Sequence, residues 1–146
     1  APRWGCRTGC CGSASGSMKP YQLSSPDRIR MSGPQVPLSP RLAVVLSMIV
    51  HEIATNAAKY GALSNDSGTI DLSWELLLDK DATKLSAPKL RMVWRESGGP
   101  VVAAPIRRGF GSRLIERSAR DQLGGEATVD FLPRGVVYTI SCVLEQ

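Results

Sequence analysis

Histidine is almost missing from this sequence: His51 is the only one in 146 residues. Aromatic residues make up 5% of the chain, and basic residues cluster only at Arg107, Arg108 and Arg113. Nucleic-acid binders present a basic stripe interleaved with aromatics, so no nucleic-acid partner is expected. No apolar run approaches the roughly 18 residues that span a bilayer. The stretch from Leu42 to Val50 is broken by Ser47, and the first residues lack the apolar block of a signal peptide. The expectation is a cytoplasmic chain, or a soluble piece of a larger protein, without membrane contact. Cysteine is sparse and unevenly placed: Cys6, Cys10 and Cys11 crowd the start, and Cys142 stands alone. The C-x3-C-C spacing is not that of a usual zinc site, and reduced, nonfunctional thiols are expected. Acidic residues are absent from positions 1–24, which carry Arg3, Arg7 and Lys19. Of the net charge of +5, only +2 remains for the body.

With 42% hydrophobic and 21% charged residues, the composition is that of an ordinary globular domain. Its length suffices to bury a core without disulfides or a structural metal. Residues 1–24, with the Gly-Ser-Ala-Ser-Gly-Ser run at 12–17, read as a flexible tail or linker. Residues 25–146 read as one domain. Arg28 to Ser32 alternates as a short strand. Ser39-Pro40 is a helix start, with Ser as cap and Pro in the first turn. Leu42, Val45, Leu46, Ile49, Ile53 and Ala57 follow helical spacing to about Ala62, with Gly61 near the end. Strands are expected over 68–77, 90–96, 126–132 and 136–144, the last two joined by a Pro133-Arg134-Gly135 turn. A polar loop spans 80–88, a longer one 97–109, and a second helix 112–123. Strand pairs without an intervening helix predict a mixed sheet with helices on one face, an α/β two-layer sandwich.

Three local signals carry chemistry. Within the first helix, Glu52, Asn56 and Lys59 are spaced i, i+4, i+7 and form one stripe. Carboxylate and amide oxygens are hard ligands for Mg²⁺, and lysine offsets phosphate charge. A solvated helix face is the plain alternative. His51-Glu52 begins like the zinc motif H-E-x-x-H, but position 55 is Thr, so the second ligand is absent. Next, Trp94-Arg-Glu96-Ser-Gly98-Gly99-Pro100 is a strand ending in an acid that turns into glycines. Such an acid can accept a hydrogen bond from an exocyclic amine, while glycines admit a ligand to the backbone. Finally, Gly109-Phe-Gly111-Ser112 precedes a helix, whose free N–H groups and dipole favour anions.

Taken in order, these motifs resemble the ATP-binding domain of the GHKL superfamily, the Bergerat fold, and most closely the HWE family of bacterial sensor histidine kinases. His51 and Trp94-x-Glu96 match the signature for which that family is named. The asparagine box is at 51–64, the first glycine box at 94–100 and the second at 109–112. The resemblance implies that Asn56 supplies an oxygen to Mg²⁺ and that Glu52 acts on the attacking group or holds a metal-bound water. It further implies that Lys59 contacts phosphate, Tyr60 lies against adenine and Glu96 accepts from the adenine amine, with Gly98 allowing close approach. Gly109, Gly111 and Ser112 would wrap the phosphates, and Thr139 would reach the adenine side through a water. Arg107, Arg108 and Arg113 are added as cations on charge alone.

The implied activity is transfer of the γ-phosphoryl group of Mg-ATP to a histidine on a separate domain, in cis or in trans, with a response regulator served indirectly. His51 lies inside the nucleotide box, about 100° round the helix from the stripe, and is a poor acceptor. Two alternatives stand beside this reading: a degenerate nucleotide-binding interaction module, and another GHKL-type ATPase.

Overall fold

In the computed structural model the described residues are 3–4, 6–7, 10–11, 26–78, 87–103 and 110–144. Nine strands and two helices follow: β1 (Arg3–Trp4), β2 (Cys6–Arg7), β3 (Cys10–Cys11), β4 (Ile29–Ser32), β5 (Val36–Pro37), α1 (Pro40–Lys59), β6 (Thr69–Leu77), β7 (Lys89–Ser97), α2 (Phe110–Leu123), β8 (Ala127–Leu132) and β9 (Gly135–Val143). Within the expected tail β2 pairs with β3, and β1 pairs with β5 beyond it, each over two residues. The Gly-Ser run at 12–17 and most of the 80–88 loop lie outside the described residues.

The main sheet has the order β4-β6-β7-β9-β8. Only β4–β6 is parallel; the other three pairings are antiparallel. This is the mixed sheet expected of consecutive strands without crossover helices. Side chains alternate strictly along the central strands. Ile70, Leu72 and Trp74 of β6, Leu90, Met92 and Trp94 of β7, and Tyr138, Ile140 and Cys142 of β9 are buried. Asp71, Glu75, Arg91 and Arg95 are exposed on the opposite face, where Glu75 and Arg91 pair at 3.3 Å. A period of two with one apolar face requires one covered side, and the helices supply the cover.

α1 fits that face because Leu42, Val45, Leu46, Ile49, Ile53 and Ala57 repeat at helical spacing and are buried. Ser39 caps it, its hydroxyl accepting from the Leu42 N–H at 3.3 Å, and Pro40 occupies the first position. By length and composition α1 is long and apolar enough to cross a membrane, but nine of its twenty residues are buried in this core. The helix ends at Lys59, whose charge suits the C-terminal end of the dipole. Gly61 does not take the left-handed conformation expected of a helix-ending glycine; its φ is −109°. Its constraint is steric, because a Cβ there would collide with the carboxylate of Glu96.

Between α1 and β6 the chain makes a short 3-10 turn over Ala62–Ser64. Arg28, just before β4, fastens this segment: its guanidinium donates to the carbonyls of Gly68 (2.7 Å), Ala62 (2.9 Å) and Asn65 (2.5 Å). Three charge-assisted bonds from one side chain hold the 62–68 segment against the sheet. α2 begins at Phe110, two residues earlier than the sequence pattern suggests, so Gly111 lies within its first turn. Cys142 is a free thiol, and burial pushes its pKa up to about 11, which keeps it protonated and unreactive.

Candidate functional site

A cavity of about 380 Å³ opens where the C-terminal ends of α1 and β7 meet the start of α2. Its polar lining comes from Asn56, Tyr60, Glu96, Ser112 and Tyr138. Its apolar lining comes from Val101, Val102 and Ala103 on one side and from Phe131 and Val136 on another. Small size, apolar walls and a few convergent polar groups are the attributes of a site for a flat heteroaromatic ligand.

Glu96 is the most constrained group in it. Trp94 and Glu96 are two apart on β7, so both point to the helix-covered face. The Trp94 indole N–H donates to Glu96 Oε1 at 3.1 Å. The backbone N–H of Ala62, first residue of the 3-10 turn, donates to Oε2 at 2.8 Å. Only 5% of Glu96 is exposed. Burial raises its pKa above the ordinary carboxylate range, and the bonds from Ala62 and Trp94 oppose that rise. Two donors thus hold the carboxylate in one orientation. Each carboxylate oxygen has two lone pairs, so acceptor capacity remains for a ligand N–H. The Trp-x-Glu signature is therefore a physical unit: the tryptophan N–H orients the acid.

The turn after β7 is shaped by Gly98, with φ +71°, a conformation that a side chain would strain. Its carbonyl accepts from Asn65 Nδ2 (3.2 Å) and Ser67 Oγ (3.1 Å), which ties this turn to the 62–68 segment. Gly98 itself does not line the cavity; it directs the chain toward Val101 and Val102, which do.

At the opposite end, α1 and α2 come together. A Cβ on Gly111 would lie 2.6 Å from Glu52 Oε1 and 3.5 Å from Asn56 Nδ2. Glycine is therefore what lets the first turn of α2 approach these two side chains. A helix start, whose first N–H groups lack partners within the helix, thus lies beside an acid and an amide, an arrangement suited to a phosphate with its cation. No cluster of three or more His, Cys, Asp or Glu side chains occurs among the described residues. The donor set present fits Mg²⁺ in its usual protein setting, with one or two protein oxygens and the rest from phosphates and water.

Of the predicted site residues, the structure brings Asn56, Tyr60, Glu96, Gly111 and Ser112 to the cavity, and Glu52 to its edge beside Gly111. Tyr60 is 77% exposed, at the rim. Lys59 is exposed and does not line the cavity, and Arg113 is also exposed. Gly109, Arg107 and Arg108 lie outside the described residues. Thr139 requires correction. It alternates with buried Tyr138 and Ile140, so it lies on the open face of the sheet, between Val93 and Thr128. The residues of β9 that reach the cavity are Val136 and Tyr138.

Tyr138 is the functional candidate that motif reading misses. Its pKa is raised, by burial first and by the charge of Glu96 second. It also stands directly across from Trp94 in the β7–β9 pairing. The available signal was its register with Val136 on the buried face of β9.

Comparison with known proteins agrees with this geometry. No family model matches the chain. The blue-light-activated histidine kinases of Brucella anthropi and Brucella ovis are each 40% identical to it over 124 residues, or 85% of this chain. The chain spans 24% of the length of these relatives. Among solved structures, the Erythrobacter litoralis EL346 blue-light activated histidine kinase superposes with a TM-score of 0.62 at 17% identity, over 90% of this chain and 39% of that one. The catalytic domain of histidine kinase ThkA gives 0.60 at 15% identity, over 90% of this chain and 91% of that domain. Fold and sequence point the same way: the fold is that of histidine-kinase catalytic domains, and the sequence is similar to part of histidine kinases. The similarity in sequence is to about a quarter of the length of blue-light-activated histidine kinases, and the Trp94-x-Glu96 pair agrees with the HWE signature.

Proposed function

We propose that this chain binds Mg-ATP in the cavity and transfers the γ-phosphoryl group to a histidine held on another domain or chain. The observation that carries the proposal is the buried carboxylate of Glu96, oriented by Trp94 and Ala62 beside a cavity of about 380 Å³. An acceptor in that position pairs with the exocyclic amine of adenine and opposes the carbonyl of guanine. Phe131, Val136 and Val102 supply apolar contact to the base, and Tyr60 covers it from the rim. The phosphates then extend toward the first turn of α2.

Asn56 and Glu52 are the oxygen donors that would hold Mg²⁺, which offsets phosphate charge when bound. Gly111 and Ser112 offer backbone N–H groups to the phosphate oxygens. In the transfer, the bond between the γ-phosphorus and the ADP oxygen breaks as a bond to an imidazole nitrogen of the acceptor forms. The acceptor's other nitrogen gives up its proton, and Glu52 is placed at the phosphate end to receive it. The contribution of this chain is positioning and charge stabilisation, as in phosphoryl transfer generally.

His51 is exposed on α1, while Asn56 and Tyr60 of the same helical region face the cavity. The acceptor is therefore a different histidine, and a response regulator receives the phosphoryl group from it. One neighbouring structure, ThkA, was determined in complex with the response regulator TrrA. A cytoplasmic location accords with this chemistry.

The test is labelling with γ-labelled ATP. The chain by itself should remain essentially unlabelled. Adding a phosphoacceptor domain in trans should produce acid-labile label on that domain. Release of phosphate to water with no labelled acceptor would favour an ATPase instead.

A further inference from the structure

We infer that Arg28 is a positioning residue for nucleotide selection: it holds the Ala62 N–H on the carboxylate of Glu96 and so fixes the acceptor that tells adenine from guanine. The inference rests on the reading of Glu96 as the base-recognising acid.

Arg28 is half-buried, does not line the cavity and lies outside all three motifs. Its Nε donates to the Gly68 carbonyl at 2.7 Å, and its Nη2 donates to the carbonyls of Ala62 and Asn65 at 2.9 and 2.5 Å. These acceptors are 34 to 40 positions away in sequence. The guanidinium is a rigid planar fork, so carbonyls bound to it are fixed relative to one another as well as to the arginine.

Ala62 is where this matters. Its carbonyl accepts from Arg28, and its N–H donates to Glu96 Oε2 at 2.8 Å. The chain closes in on it from other sides without side chains. A Cβ on Gly99 would lie 2.7 Å from the Ala62 Cα, and one on Gly68 would strike the Ala62 carbonyl. The same segment holds the turn after β7, since Asn65 Nδ2 and Ser67 Oγ donate to the Gly98 carbonyl. One arginine behind the site therefore secures both the donor on Glu96 and the turn that leads to the cavity wall.

The other carboxylate oxygen, Oε1, is held by Trp94 from within β7. Loss of Arg28 leaves the acid held firmly at that oxygen alone, free to turn about it. Burial raises the Glu96 pKa, and the Ala62 bond opposes the rise. A loosened Ala62 thus also favours the protonated acid, whose O–H donates to a carbonyl such as that of guanine. Both changes erode a preference for adenine.

The experiment titrates Mg-ATP and Mg-GTP calorimetrically into the unaltered chain, Arg28→Met and Arg28→Lys. It also follows the Ala62 amide and Trp94 indole N–H resonances without nucleotide. Arg28→Met keeps the apolar stem and removes all three bonds. In it the ratio of ATP to GTP affinity should fall about three- to tenfold, the effect of loosening one hydrogen bond. The Ala62 amide should shift upfield and exchange faster, while the Trp94 indole stays in place. The gain in ATP affinity from Mg²⁺ over EDTA should be unchanged, because it arises at the opposite end of the cavity. Arg28→Lys keeps the charge without the fork and serves if Arg28→Met fails to fold; its ratio should move in the same direction.

An unchanged ratio in a folded variant would overturn the inference, and so would an Ala62 amide that does not move. An equal loss of ATP and GTP affinity, together with a loss of the magnesium gain, would reduce Arg28 to general support of the fold and overturn it too. If the unaltered chain shows no preference for ATP over GTP, the reading of Glu96 fails and this inference falls with it. A preference present in the unaltered chain and kept in the variants sinks the role of Arg28 alone.

Discussion

The two ends of the cavity are built differently. At the Glu96 end the buried carboxylate has internal partners: Trp94 and Ala62 hold it, and Arg28 and Gly98 secure the 62–68 segment behind it. At the Glu52 end the acid is half-buried beside Gly111, and Lys59 and Arg113 are exposed. Tyr138 and Asn56 both line the cavity between them. Under the proposed function, the difference follows from what each end would recognise. A base edge is distinguished by a fixed acceptor, which tolerates little rotation. Phosphate and cation bring their own charge and coordination, and they complete a site whose protein donors are few.

If that contrast is right, damage at the Glu96 end should cost folding stability as well as binding, and damage at the other end should cost binding alone. Glu96→Ala should have the largest effect. It leaves the buried N–H groups of Trp94 and Ala62 without their acceptor, at about 1–3 kcal/mol each, and removes adenine recognition. Chemical denaturation and ATP titration should both register it. Trp94→Phe should be milder in stability, about 1–3 kcal/mol, because it leaves one oxygen of a buried carboxylate without its donor. The pKa of Glu96 should rise further in that variant.

Asn56→Ala should remove the magnesium-dependent part of ATP affinity while leaving the melting temperature of the free chain almost unchanged. Acidity provides a graded version of the comparison. In the proposed function base recognition needs ionised Glu96, whose pKa lies above the usual carboxylate range because of burial. ATP affinity should therefore fall as pH drops through that raised pKa, and Glu96→Gln should abolish the dependence. The effect on stability has the opposite sign. Because the folded state binds this proton more readily than the unfolded state, its contribution is most favourable on the acid side and is lost as pH rises through the folded pKa. Thr139→Val should have the smallest effect, with ATP affinity unchanged, since position 139 lies across the sheet from the cavity.

Much of this was legible before any coordinates. Helical periodicity located α1 to within three residues of its end, and alternation located each strand of the main sheet from β4 onward. The motif order brought Asn56, Glu96 and Gly111 together correctly. Thr139 was misplaced although the same alternation, applied to Val136, Tyr138 and Ile140, puts it on the other face. Tyr138 was hidden for a different reason: its importance depends on β9 lying between β7 and β8, which no local pattern reveals. Gly61 had a visible glycine but the wrong cause, since the carboxylate it accommodates is 35 positions away in sequence. Long-range approach, rather than local conformation, is what single-sequence patterns fail to carry.

The central claim is that Glu96 reads adenine in this cavity. Calorimetric titration with Mg-ATP and Mg-GTP, on the unaltered chain and on Glu96→Gln, tests it most directly. The account predicts saturable ATP binding, much weaker GTP binding, and loss of that preference in the variant. Equal affinity for the two nucleotides in the unaltered chain, or no saturable binding of Mg-ATP at millimolar concentration, would contradict it.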